Sequence, residues 1–282
     1  MVERRSFLSR LVPHLILTIG VLVLVFPVYL AFVASTWDPA TIVNGQLGLK
    51  LGPHLIENYS RLLTSGSSTA REPVLTMLGN SFVLAVGVAL GKIAISILSA
   101  FALIFYRFPF RQTIFWFIFI TLMLPVEVRI FPTYKIVADL GMLNTYGGLI
   151  VPLVASATGT LLFRQFFRTI PDELVEASKI DAASPYRFFV DTVLPLSRTT
   201  MAALFVIQFI YGWNQYLWPL LITTTESMQT IVIGIRKIIT TQDALTEWQL
   251  AMATSVLALL PPVIVVVAMQ KLFVKGLVET EK

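Results

Sequence analysis

The sequence predicts an all-α polytopic membrane protein: six transmembrane helices, both termini cytoplasmic, and one cytoplasmic helix-turn-helix loop. Three observations predict it. Hydrophobic residues make up 56% of the 282, charged residues only 13%, and the mean hydropathy is +0.80. A soluble chain needs far more charge to cover its surface. The apolar residues gather into runs of about 20 or more, the length that crosses about 30 Å of hydrocarbon. Between two of these runs lies the longest stretch of mixed charge in the chain, Arg164 to Leu196.

The first run, Leu11 to Thr36, holds no Asp, Glu, Lys or Arg and follows Arg4, Arg5 and Arg10. It is too long for a signal peptide and is read as an uncleaved first span. Five more follow: Pro73–Tyr106, Gln112–Ile136, Leu143–Phe163, Thr199–Thr225 and Gln249–Gln270. The second is interrupted by Lys92, and the third carries Glu127 and Arg129 near its end. With the N-terminus inside, the inner segments hold Arg4, Arg5, Arg10, Arg107, Arg111, Arg164, Arg168, Lys179, Arg187, Arg198, Lys271, Lys275 and Lys282. The longer outer segments hold only Lys50, Arg61, Arg71, Arg129, Lys135, Arg236 and Lys237. The positive-inside rule therefore places both termini and the 164–198 loop in the cytoplasm. The outer loop Trp37–Glu72 contains a flexible polar stretch, Ser65 to Ala70, read as a plain connection.

The charged loop reads as two short helices. Pro171, Asp172 and Glu173 open the first, since proline suits a first turn and acids there complement the helix dipole. Ser184 and Pro185 open the second as cap and first residue. Pro195 ends it, because the residue before a proline avoids the helical region. The product is a compact polar knuckle.

Several chemistries are excluded. There is no cysteine, and His14 and His54 are far apart, so no metal-ligand cluster forms. Net charge +5 belongs to short loops at a membrane rather than to nucleic acid. No Ser/His/Asp set or carboxylate dyad stands out, so no catalytic residue is assigned. Gly87 to Lys92 has the wrong spacing for a phosphate loop; Gly87 and Gly91 read as a small-xxx-small pair that lets another helix approach closely. Lys92 lies mid-span, where a lysine costs about 2.5–3.5 kcal/mol. It either snorkels from a span ending near Gly91, pairs with an acid of a neighbouring subunit, or faces a wet passage that favours an anion. Trp213, Asn214 and Tyr216 lie in the fifth run. Asn214 suits a path or its gate, whereas the two aromatics suit a sugar face or a membrane-interface belt equally.

Glu176-Ala177-Ser178-Lys179-Ile180-Asp181-Ala182-Ala183-Ser184-Pro185, ending in Leu194-Pro195-Leu196, resembles the coupling loop of permease subunits in ATP-binding-cassette importers. Leu161 to Phe167, Pro171 to Leu174, Trp213-Asn214 and Trp218-Pro219 resemble the carbohydrate branch of that family. Leu124 to Thr133 and Phe209 to Leu220 resemble its sn-glycerol 3-phosphate branch. The likeness covers essentially the whole chain. Two positions depart from the family pattern: Ser178 stands for its second alanine and Ala182 for its glycine, which makes a left-handed turn at 182 less comfortable.

The resemblance implies a partner permease, two copies of a cytoplasmic ATPase subunit that hold ATP and magnesium, and an external solute-binding protein. This chain itself, set in the lipid of a bacterial inner membrane, carries no cofactor. Glu173, Glu176, Ala177, Ser178, Asp181, Ala182 and Pro185 would form the ATPase-coupling surface. The implied cargo is sn-glycerol 3-phosphate, with glycerophosphodiesters beside it; related branches carry oligosaccharides or sugar alcohols. A secondary transporter, the remaining alternative, would show a buried acid at mid-membrane, and no acid lies deep in a span.

Overall fold

The computed structural model describes residues 7–121, 126–240 and 246–279, without the side chains of 7–10, 126–127 and 273–279. Arg4, Arg5, Lys282 and the start of the 124–133 motif therefore lie outside the described residues, as do the side chains of Arg10, Glu127 and Lys275. No β-strand occurs among the described residues. In order, the helices are α1 (Phe7–Ala34), α2 (Pro39–Val43), α3 (Leu55–Thr64), α4 (Val74–Phe105), α5 (Arg111–Ile120) and α6 (Val126–Asp139). Next come α7 (Tyr146–Ile150), α8 (Ala157–Phe167), α9 (Asp172–Ile180), α10 (Pro185–Phe188) and α11 (Leu194–Leu196). The last are α12 (Arg198–Trp213), α13 (Leu217–Ile222), α14 (Ile231–Ile239) and α15 (Trp248–Glu279).

Three stretches are long and apolar enough to cross a membrane alone: Leu11–Ala34, Val74–Phe105 and Trp248–Leu272. Two bent pairs raise the number to five among the described residues. Tyr146–Leu153 meets Ala157–Phe167 at 50°, and Pro185–Leu196 meets Arg198–Trp213 at 70°. The third expected span includes residues 122–125, which are not described. The fourth and fifth are less regular than the sequence suggests. In the fourth, Pro152 lacks an N–H and crowds the carbonyl four residues back; the chain tightens to a 3₁₀ turn over Val151–Leu153. Ser156 then starts a new helix by accepting from the Gly159 N–H. In the fifth, α12 stops at Trp213 rather than running to Thr225, and the chain starts a new short helix, α13, with Pro219 in its first turn, where its missing N–H costs nothing.

The chain forms two compact units, Met1–Leu75 with Gly234–Leu259, and Thr76–Ile233 with Leu260–Lys282. The first is ordered by side chains that hold backbone carbonyls. Asn58 donates to the Ser35 and Trp37 carbonyls at 2.9 and 3.0 Å, and the Trp37 indole donates to the Lys50 carbonyl at 3.0 Å. Gly52 sits so close to Thr36 and Trp37 that a Cβ would strike both, while its N–H donates to Thr36 Oγ1 at 2.7 Å. The stretch expected to be flexible, Ser65–Ala70, is instead a held turn. Ser67 and Ala70 are hydrogen-bonded to each other, and Ser68 donates through N–H and hydroxyl to Glu247, which also pairs with Arg61 at 2.6 Å. Burial raises the Glu247 pKa, but the Ser68 donations and the Arg61 charge outweigh it and leave the carboxyl below its ordinary range.

The second unit has two apolar clusters. One joins Leu84 and Val88 of α4 to Ile130, Val137, Leu149, Leu153, Trp218 and Ile222. Trp218 donates to the Gly148 and Leu149 carbonyls, each at 3.2 Å, which ties α13 to α7. Asn144, in the left-handed region at φ 54°, accepts from the N–H groups of Thr224 and Thr225 and so pins the following loop. The other cluster is largely aromatic: Phe101 and Phe105 near the end of α4, Phe163 and Phe167 of α8, and Phe188 and Val193 beneath the knuckle.

Candidate functional site: a cationic cavity and a charged knuckle

Lys92 lies near the middle of α4, which continues to Phe105, so the side chain does not escape along a span ending at Gly91. It is 7% exposed. Its Nζ donates to Gln208 Oε1 of α12 at 2.9 Å and stands 3.7 Å from the centroid of the Tyr211 ring. Both neighbours are neutral, so they lower the cost of burying the ammonium without cancelling its charge. Beside it opens a cavity of about 450 Å³, lined among others by Lys92, Thr121, Arg129, Ser156, Gln208 and Tyr211. No Asp or Glu lines it among the described residues.

Gly87 and Gly91 do bring another segment close, the end of α7 and the turn after it in the same chain. A Cβ at Gly87 would strike Ile150, and one at Gly91 would strike Val154. These two contacts press the α7–α8 break onto α4 and hold Ser156 at the cavity. Lys92 stands out in the sequence, whereas its sharing a cavity with Arg129, Gln208, Tyr211 and Ser156 does not. By sequence Arg129 reads as a charge near the end of the third run, on the outer side. The available signal was Gln208, an amide in an apolar run one turn before Tyr211.

The other expected path residues lie elsewhere in the second unit. Trp213 is 3% exposed and stacks on Phe209 at 5.8 Å, which is how a core aromatic packs. Asn214 caps the end of α12, exposed, and donates to the Ile210 carbonyl at 3.0 Å. Tyr216 is half-buried at the break before α13.

The knuckle consists of α9, a turn and α10. Glu173, Glu176, Ala177, Asp181, Ala182 and Pro185 are all exposed, and Ser178 is half-buried with its hydroxyl donating to the Val175 carbonyl at 2.8 Å. Among the described residues Glu176 forms no ion pair with Lys179. Between the arms is a hollow of about 420 Å³ lined by Ala177, Ser178, Asp181, Arg187 and Asp191, among others. Ile180 at 85% and Tyr186 at 77% exposure form apolar tips on an otherwise polar surface.

Ala182 does adopt the left-handed conformation, at φ 49°. Its N–H donates to the Lys179 carbonyl at 3.1 Å, and that of Ala183 to the Ser178 carbonyl at 2.9 Å, the paired bonds of a Schellman stop. A non-glycine residue there costs about 1–2 kcal/mol, against about 0.5–1 kcal/mol of extra chain entropy for glycine. Ala182→Gly should therefore stabilise the protein by about 0.5–1 kcal/mol, read as a higher midpoint in thermal unfolding of the purified chain.

Ser184 accepts from the Arg187 N–H at 3.2 Å, with Pro185 in the first helical position. Pro195 does not end the second arm. The backbone widens into a π turn over Phe189–Val193, which takes up the missing N–H and the bulk of the ring, and the arm runs on to Leu196. The break falls at Ser197, whose hydroxyl donates back to the Val193 carbonyl at 2.6 Å.

A helical membrane chain with a cationic cavity and a charged helix pair braced on its aromatic core defines a transport component. Residues 92–279 match the model of the binding-protein-dependent transport system inner membrane components, and the chain belongs to that family. It is thus a permease subunit of an ATP-binding-cassette importer, a transport component of the inner membrane rather than an enzyme, and works with a partner permease, an ATPase and a binding protein. Over 283 aligned residues, with 100% of both chains covered, it is 57% identical to the sn-glycerol-3-phosphate transport system permease protein UgpE of Rhizobium meliloti (strain 1021). The permease protein of the same name from Escherichia coli O157:H7 is 55% identical over 282 residues, again with 100% of both covered. A subunit in the crystal structure of a bacterial ABC transporter involved in the import of the acidic polysaccharide alginate has the same fold. Its TM-score is 0.79 at 21% identity, over 96% of this chain and 99% of that one.

Proposed function

We infer that this subunit serves an importer of sn-glycerol 3-phosphate. The observation that carries this is full-length identity of 57% to a permease of that named system. The chain would contribute half of the translocation path, with Lys92 and the break at Trp213, Asn214 and Tyr216 on or beside it. One homologous permease, two ATPase subunits that bind ATP and magnesium, and one external solute-binding protein complete the assembly. The knuckle, through Glu173, Glu176, Ala177, Ser178, Asp181, Ala182 and Pro185, docks on one ATPase subunit. Its exposed polar face and its aromatic footing support a lever that moves as a body. Six spans with both termini cytoplasmic fit the distribution of lysine and arginine.

Two experiments test this reading. Radiolabelled sn-glycerol 3-phosphate should enter cells with the gene intact and not cells from which it is deleted; equal uptake would refute the substrate. Because the chain has no cysteine, Ser184→Cys gives a single thiol on the knuckle. Labelling of that thiol by an impermeant maleimide in inside-out vesicles but not in intact spheroplasts is expected. The reverse would overturn the orientation.

A further inference from the structure

We propose that the cavity between Lys92 and Arg129 is a binding station for the phosphate group of the transported ester, with the N-terminus of α8 as its third positive element. The proposal rests on the importer reading above and names where this chain touches the cargo.

Two cations reach one cavity from different helices, Lys92 from α4 and Arg129 from α6, with no carboxylate beside them among the described lining residues. Lys92 is almost wholly buried against a neutral amide and an aromatic ring. Two like charges in a poorly polarisable setting raise each other's energy, and an anion between them lowers both. The α8 N-terminus adds to this. Ser156 Oγ takes the Gly159 N–H and the Ser156 carbonyl takes the Thr160 N–H. The N–H groups of Ala157 and Thr158, both lining the cavity, precede the helix's own bonds and lie at the positive end of its dipole.

A phosphate monoester carries about −1.5 to −2 charge at neutral pH, which matches two cations and a helix end. A neutral sugar would need hydroxyl-matching amides and carboxylates instead. Arg129 can hold two phosphate oxygens at once, whereas Lys92 acts as a point charge. Arg129 is exposed to the cavity, so its replacement leaves the packed core untouched.

The test uses the complete importer in proteoliposomes, with labelled sn-glycerol 3-phosphate as probe and basal ATPase as the measure of assembly. Arg129→Gln and Lys92→Gln should each lower uptake at saturating binding protein by about tenfold or more, the loss expected of a charged hydrogen bond. Arg129→Lys and Lys92→Arg should restore part of it. Wild-type uptake in both glutamine variants, with basal ATPase preserved, would overturn the station while leaving the substrate intact. A wild-type importer that takes up no sn-glycerol 3-phosphate would instead refute the substrate. A phospholipid headgroup offers the same phosphate. If wild-type uptake requires phosphatidylglycerol and Arg129→Gln removes only that requirement, the site belongs to lipid and the proposal fails.

Discussion

Glu176→Lys is expected to reduce uptake about a hundredfold while the chain inserts and accumulates normally. The side chain is exposed on α9 and has no partner among the described residues, so nothing in the fold is lost by reversing it. Surface substitutions away from special features stay within about 0.5 kcal/mol. The cost arises only if the acid meets a basic or hydrogen-bonding group on the ATPase. A like-charge juxtaposition in such an interface costs several kcal/mol, and each 1.4 kcal/mol is tenfold. The readout is uptake beside the amount of assembled complex recovered from membranes. Full uptake in the variant would show that Glu176 has no part in coupling.

Phe188→Ala is expected to cost about 3–5 kcal/mol, the usual penalty for deleting a buried phenyl ring. Phe188 is the one buried residue of α10, with ring centroids 5.3 Å from Phe105 and 6.2 Å from Phe101. It joins the exposed arm to the ends of α4 and α8 through Phe105 and Phe167. Removing it opens a cavity at the base of the lever, so ATP hydrolysis should continue while uptake falls. Phe188→Leu, which keeps most of the volume, should lose about 1.5 kcal/mol or less. A thermal midpoint unchanged by alanine, with uptake still coupled to hydrolysis, would mean that the footing does not transmit force.

Much of this was legible from local chemistry. Caps and first-turn prolines act within four residues, and so Pro171, Ser184 and Pro185 mark the knuckle arms in the sequence as they do in the structure. The left-handed stop at Ala182 was legible only as a discomfort, because the alanine hides the signal that glycine gives. Breaks inside apolar runs were not legible. Hydropathy averages over about 20 residues, whereas Pro152 acts on a single carbonyl, and Pro27, Pro261 and Pro262 sit inside unbroken helices, so a proline alone does not mark a break. The cavity was half legible for a related reason. A lone Lys92 is conspicuous in an apolar run, but Arg129 and Gln208 join it only through tertiary packing.

The most direct test of the whole account is ATP-dependent accumulation of sn-glycerol 3-phosphate by vesicles that contain this chain with its partner permease, ATPase and loaded binding protein. Accumulation that requires both ATP and the binding protein, and that vanishes when this chain is omitted, is the predicted result. Accumulation driven by an ion gradient without ATP, or none of the phosphate ester at all, would contradict it.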